Sequence, residues 1–147
     1  MNERRFLPRE MGLEALVRIL EEEHALMKEG LRRAREAAAR RDFDALSLAL
    51  KELDPVFRQH IADEESQILR LLIDRLGVKG ATEEIRVFQQ HRPIYQLMQK
   101  VTELAAMSTP DLATQATLDA LFDEHAAAEE MRVFPRATSL SRRPKGQ

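Results

Sequence analysis

Apolar residues recur at spacings of three and four along almost the whole chain, and that rhythm constrains the fold more than any other feature. The first stripe runs through Leu13, Leu16, Val17, Leu20, Met27, Leu31, Ala34 and Ala38. The charged stretch Arg40, Arg41, Asp42 interrupts it, and a second stripe runs through Leu46, Leu50, Leu53, Phe57, Ile61, Ile68, Leu71 and Leu72 to Gly77. A third follows through Ile85, Phe88, Met98, Val101 and Ala105, and a fourth through Leu118, Leu121, Phe122 and Val133. Alternating β-branched runs and Asn-Gly hairpins are missing, so strands are not expected. Four long amphipathic segments with short connections predict an all-α, antiparallel up-down-up-down four-helix bundle.

Punctuation residues set the expected boundaries. Gly77 and Gly80 bracket a turn, with Thr82 as the cap of the third helix. Ser108 and Thr109 before Pro110 read as a cap with proline at the first helical position of the fourth. Pro55 predicts a kink in the second helix and Pro93 a bend in the third, while Pro135 is expected to end the fourth. The chain reads as one domain over 1–147, the bundle spanning about 13–135 and a polar tail 136–147. The tail's Arg142, Arg143 and Lys145 are assigned no function.

Composition removes whole classes of chemistry. With no cysteine, disulfides, thiolate zinc sites, iron–sulfur clusters and a cysteine nucleophile are excluded, and any metal must bind through nitrogen and oxygen. A net charge of −2 without a basic concentration argues against nucleic-acid binding. No apolar run follows the charged N-terminus, and no stretch approaches a membrane span, so a soluble cytoplasmic protein is expected.

Four histidines are present, and each expected helix receives one. His24 lies between Leu20 and Met27 on the core stripe, while His60, His91 and His125 each follow a phenylalanine (Phe57, Phe88, Phe122) by three. All four imidazoles should therefore converge on the interior. Two glutamates come with them: Glu64 lies four residues after His60 and Glu129 four after His125, each on its histidine's face. An uncompensated carboxylate inside a bundle costs several kcal/mol, and a divalent cation is the partner that would balance it. The pattern also repeats, since His24 precedes His60 by almost as many residues as His91 precedes His125, and each pair closes with His-x-x-x-Glu-Glu. Two equivalent half-sites, each with two imidazoles and a carboxylate able to bridge, favour two ions.

Neighbouring residues carry softer expectations. Glu65 and Glu130 lie well around the helix on the outer side, although a π-bulge would shift Glu130 toward the ligand set. The phenylalanines read as core filler that also dries the site. Tyr95, four residues after His91 on the same face, leaves two readings open: a phenolate ligand to ferric iron, or a hydroxyl that hydrogen-bonds a ligand.

These residues resemble the haemerythrin and HHE cation-binding family, whose members carry histidine on the first helix, His-x-x-x-Glu on the second, histidine on the third, and histidine plus a carboxylate on the fourth. The likeness runs from about Leu13 to Pro135, and the segment HAAAEEMRVFP is its most specific part. The resemblance implies His24 and His60 on one metal, His91 and His125 on the other, and Glu64 and Glu129 bridging. The implied cofactor is two iron ions with an oxo or hydroxo bridge, with manganese or zinc still compatible.

Two departures shape the functional expectation. Oxygen-carrying members have His-x-x-x-His on the third helix, where this chain has His91 and Tyr95. Their fourth-helix bridge is an aspartate at i+5, whereas Glu129 at i+4 is more similar to the di-iron domain of proteins that repair iron–sulfur clusters after nitrosative stress. Those repair proteins usually carry an additional cysteine-bearing N-terminal domain, which has no counterpart within these 147 residues. Four imidazoles, two bridging carboxylates and a solvent bridge leave about two open positions on a six-coordinate pair. The expectation is a non-haem di-iron protein that binds a small diatomic oxidant, oxygen or nitric oxide, for sensing, storage or detoxification. Two alternatives stand beside it: a redox enzyme or repair factor acting on nitric oxide, peroxide or damaged clusters, and an interaction module that the metals staple together.

Overall fold

The computed structural model describes residues 6–143; the expected tail residue Lys145 lies outside them. Among the described residues the secondary structure is entirely helical, and the segments form four rods. The first is α1 (Leu13–Ala39). The second is α2 (Phe43–Asp63), a π-helical turn (Glu64–Leu69) and α3 (Arg70–Gly80). The third is α4 (Thr82–Gln89) and α5 (His91–Ala106), and the fourth is α6 (Leu112–Ala128), a second π-helical turn (Glu129–Val133) and α7 (Phe134–Ser141).

Local chemistry explains most of the joints. Asp42 caps α2 by accepting from the Ala45 N–H at 3.1 Å. Gly77, at φ 72° and ψ 168°, breaks the end of α3 in a region of backbone space essentially reserved for glycine. Where α1 crosses α2, a Cβ on Gly30 would lie 2.6 Å from Leu53 Cδ2, so that crossing depends on the missing side chain.

Several sequence expectations need correction. Thr82 does not cap the helix it begins; its hydroxyl donates backward to the Lys79 carbonyl at 2.8 Å, closing the preceding turn. The cap of α6 is Asp111 rather than Ser108 or Thr109, because its carboxylate accepts from the Ala113 N–H at 3.0 Å and the Thr114 hydroxyl at 2.8 Å. Pro110 therefore precedes the cap. The interruption of the third rod falls at Gln90, just ahead of Pro93, whose ring cannot follow the carbonyl four residues earlier. Pro135 does not end the fourth rod. The π turn ahead of it has already abandoned the i−4 pattern that proline breaks, and α7 continues to Ser141. Residues 136–141 are thus helix, and Arg142 pairs with Glu14 at 2.6 Å.

In the bundle, α1 packs against α2 and α6, and α5 packs against the same two. The interior divides into two apolar clusters. One holds Met27, Leu31, Leu50, Phe57, Ile94, Met98, Leu118 and Phe122. The other holds Leu16, Leu20, Ile68, Leu72, Phe88, Val133 and Phe134. On every rod the histidine lies between residues of one cluster and residues of the other, so the four rings form a polar slice between two apolar ones. Among the described residues no helix is long and apolar enough to cross a membrane.

Candidate metal centre

All six residues singled out by periodicity meet in that slice. His24, His60 and His125 are each 1% exposed and His91 4%, and Glu64 and Glu129 are completely buried. Their ligand-capable atoms form two groups, each within 4.8 Å: His24, His60, Glu64 and Glu129, and His91, His125, Glu64 and Glu129. The two carboxylates belong to both groups. The rings pair the same way, with centroids 4.8 Å apart for His24 and His60 and 4.9 Å apart for His91 and His125.

Glu129 Oε1 lies 2.9 Å from His24 Nε2, 3.1 Å from His125 Nε2 and 3.7 Å from His60 Nε2. Glu64 Oε1 abuts His60 Nε2, and its Oε2 lies 3.6 Å from His91 Nε2. Most of these approaches lack hydrogen-bond geometry. The inward Nε2 atoms of His60, His91 and His125, both oxygens of Glu64 and Glu129 Oε2 are buried without a hydrogen-bond partner. A folded protein seldom leaves so many buried polar atoms unpaired in one place.

The outer ring nitrogens, by contrast, are all held. His24 Nδ1 lies 3.0 Å from Glu130 Oε1, His60 Nδ1 3.1 Å from Glu23 Oε1, His91 Nδ1 3.2 Å from Glu65 Oε1 and His125 Nδ1 2.9 Å from Gln90 Oε1. An ionised carboxylate and an amide oxygen can only accept, so each ring donates outward through Nδ1–H. In its neutral form each ring then turns the Nε2 lone pair inward, toward the carboxylates. That is the tautomer a metal-binding imidazole needs. Lone pairs facing carboxylates require positive charge between them, and cations held by these groups would satisfy the orphaned atoms of the slice.

Without cations, protons occupy that role. Burial opposes charge on His60, but Glu64 and Glu23 outweigh it and push the ring up to about 9. His91 is likewise raised against its burial by Glu64 and Glu65. Burial and the charge on His60 lower His24, and burial with the charge on His91 takes His125 down to about 3. Burial alone would raise Glu64; His60 and His91 override it and hold the carboxyl far below the usual range. In each half-site one ring is raised and the other lowered.

The outer residues are placed as follows. Both glutamate positions do open π turns, but Glu130 does not displace Glu129. The wide turn begins at Glu129, so the spacing back to His125 is still α-helical, and Glu130, 38% exposed, reaches only the outer nitrogen of His24. Glu65, 49% exposed, does the same for His91. Tyr95 lies away from the slice: its hydroxyl accepts from Arg58 Nη2 at 2.5 Å, and its ring stacks on Phe57 at 6.3 Å. Phe134 stacks on His24 at 5.8 Å and Phe88 tilts over His91 at 5.4 Å, packing the rings from the apolar side.

Sequence reasoning missed Glu23, Gln90, Asp63 and Arg9. Glu23 and Gln90 were detectable, since each immediately precedes the first histidine of its hairpin. Asp63 and Arg9 were not, because Arg9 comes from the segment before α1. The chain matches no family model, no curated protein and no solved structure.

Proposed function

We propose that this chain is a cytoplasmic, haemerythrin-like, non-haem di-iron protein that binds a small diatomic oxidant, oxygen or nitric oxide, for sensing, storage or detoxification. One observation carries the reading: two four-residue donor groups share Glu64 and Glu129, and most of their inward atoms are unpaired. Short connections between successive rods favour the antiparallel up-down-up-down arrangement. In this reading His24 and His60 would hold one ion and His91 and His125 the other, with Glu64 and Glu129 available to both.

The donor set contains only imidazole and carboxylate, which suits iron and also admits manganese or zinc. Bound iron would supply redox chemistry and coordination positions for a small ligand. The chain's own residues do the rest. Glu130, Glu23, Glu65 and Gln90 fix ring orientation, the two apolar clusters exclude water, and Phe88 and Phe134 pack against His91 and His24. The turning of Tyr95 toward Arg58 leaves the place of a fifth histidine without a ligand, which favours a site more open than that of a reversible carrier.

Protein purified without oxygen, analysed for metal and then exposed to air or nitric oxide tests the proposal. Two irons per chain and a new charge-transfer absorption are expected. Fewer than one iron after reconstitution overturns it. Two ions with no response to either oxidant would support the stapled interaction module instead.

A further inference from the structure

The two half-sites repeat in sequence but differ in what stands behind them. Glu23 and Gln90 occupy matching positions, each one residue before the first histidine of its hairpin and each bonded to the second. His60 is therefore backed by a carboxylate and His125 by a neutral amide. The other two rings, His24 and His91, are both backed by carboxylates, so this pair is the point of difference.

A larger structure reinforces it. Arg9 Nη2 donates to Glu23 Oε2 at 2.9 Å, and its Nη1 lies 3.3 Å from Asp63 Oδ2. The Arg9 backbone N–H donates to Asp63 Oδ1 at 2.8 Å, and Gln67 Nε2 donates back to the Arg9 carbonyl at 2.5 Å. Asp63 is completely buried and Glu23 is 6% exposed. Asp63 precedes Glu64; the matching position before Glu129 is Ala128. Besides the one carboxylate that each half-site has behind its first histidine, the His24/His60 half-site is thus backed by two more carboxylates and one guanidinium, together a net charge of −1, and the His91/His125 half-site by no further charge of this kind.

A carboxylate accepting Nδ1–H makes the opposite nitrogen a stronger donor, and such outer partners typically change metal affinity about 10–100-fold. We propose that the two positions are unequal: the His24/His60 position takes a divalent cation first, the His91/His125 position second, and Glu23 sets that order. The inference rests on the two-metal reading above. Glu23 is a positioning residue here, acting through His60 without touching the ion.

Zinc titration of the full metal-free chain against a chromophoric chelator tests it, together with anomalous scattering from crystals grown with one zinc equivalent. The wild-type chain should bind in two steps separated at least about tenfold, with the single equivalent at His24 and His60. Glu23→Gln keeps the acceptor but removes the charge, and should weaken the first step alone. Gln90→Glu should tighten the second step, a gain that a purely structural role for these residues does not produce. Equal wild-type steps, a first ion at His91 and His125, or a Gln90→Glu variant with an unchanged second step each overturn the order. Saturation at one ion or none would instead remove the two-metal reading itself.

Discussion

The slice of histidines and the apolar cluster around Phe57 are built by the same rods, a turn or two apart, yet they are stable for opposite reasons. Around Phe57 each buried residue gains by leaving water, and the packing needs nothing added. In the slice each buried residue loses hydration and recovers it only through outer partners and positive charge at the centre. Folding of this chain is therefore carried by its apolar layers, while the slice draws on that stability to hold a charged constellation ready.

The largest effect should come from damaging the apolar side. Phe57→Ala is expected to cost about 3–5 kcal/mol in chemical denaturation, with and without metal. A loss seen only in the metal-free chain would mean that the two regions are not separable. The opposite change to the slice sharpens the contrast. Replacing the four histidines, Glu64 and Glu129 together by apolar residues of similar volume should abolish metal binding while stabilising the metal-free chain by about 1–4 kcal/mol, as replacing a whole buried ionic group often does.

Acidity distinguishes the regions without mutation. In the metal-free chain His60 is raised from 6.5 to about 9, so its contribution is complete below 6.5 and is lost as pH rises through 9. His125 is depressed to about 3, so its contribution is present above 6.5 and is lost as pH falls from there. Melting of the chelated protein should therefore be highest near neutrality and fall on both sides. Zinc loading should remove the alkaline limb, since metal displaces the His60 proton, and a limb that persists would locate the titrating group elsewhere. The smallest effect belongs to Tyr95→Phe. It breaks one exposed bond to Arg58, should cost no more than about 1.5 kcal/mol, and should leave metal stoichiometry unchanged. Loss of an ion in that variant would return Tyr95 to the ligand set.

Much of this was legible in the sequence because burial writes itself as period. Phe57, His60 and Glu64 share a face by spacing alone, as do Phe122, His125 and Glu129, and the cost of an unbalanced inward glutamate pointed to a cation. What period could not show were features set by tertiary contact or by the backbone's choice among close alternatives. Asp111 displaced Ser108 and Thr109 as cap because its carboxylate reaches two donors. Tyr95 shares the His91 face but lies one turn along, where Arg58 offers a better partner. The strap that brings Arg9 to Glu23 and Asp63 has no helical rhythm to betray it.

The crosswise bonding of the outer ring nitrogens makes the two hairpins interlock. Glu65, on the first hairpin, holds His91 on the second, and Glu130, on the second, holds His24 on the first. Neither hairpin carries a finished half-site of its own, although each carries two histidines and one of the carboxylates common to both groups. A slide of one hairpin along the other would release a ring from each at once, so the centre also registers whether the halves of the molecule are correctly mated.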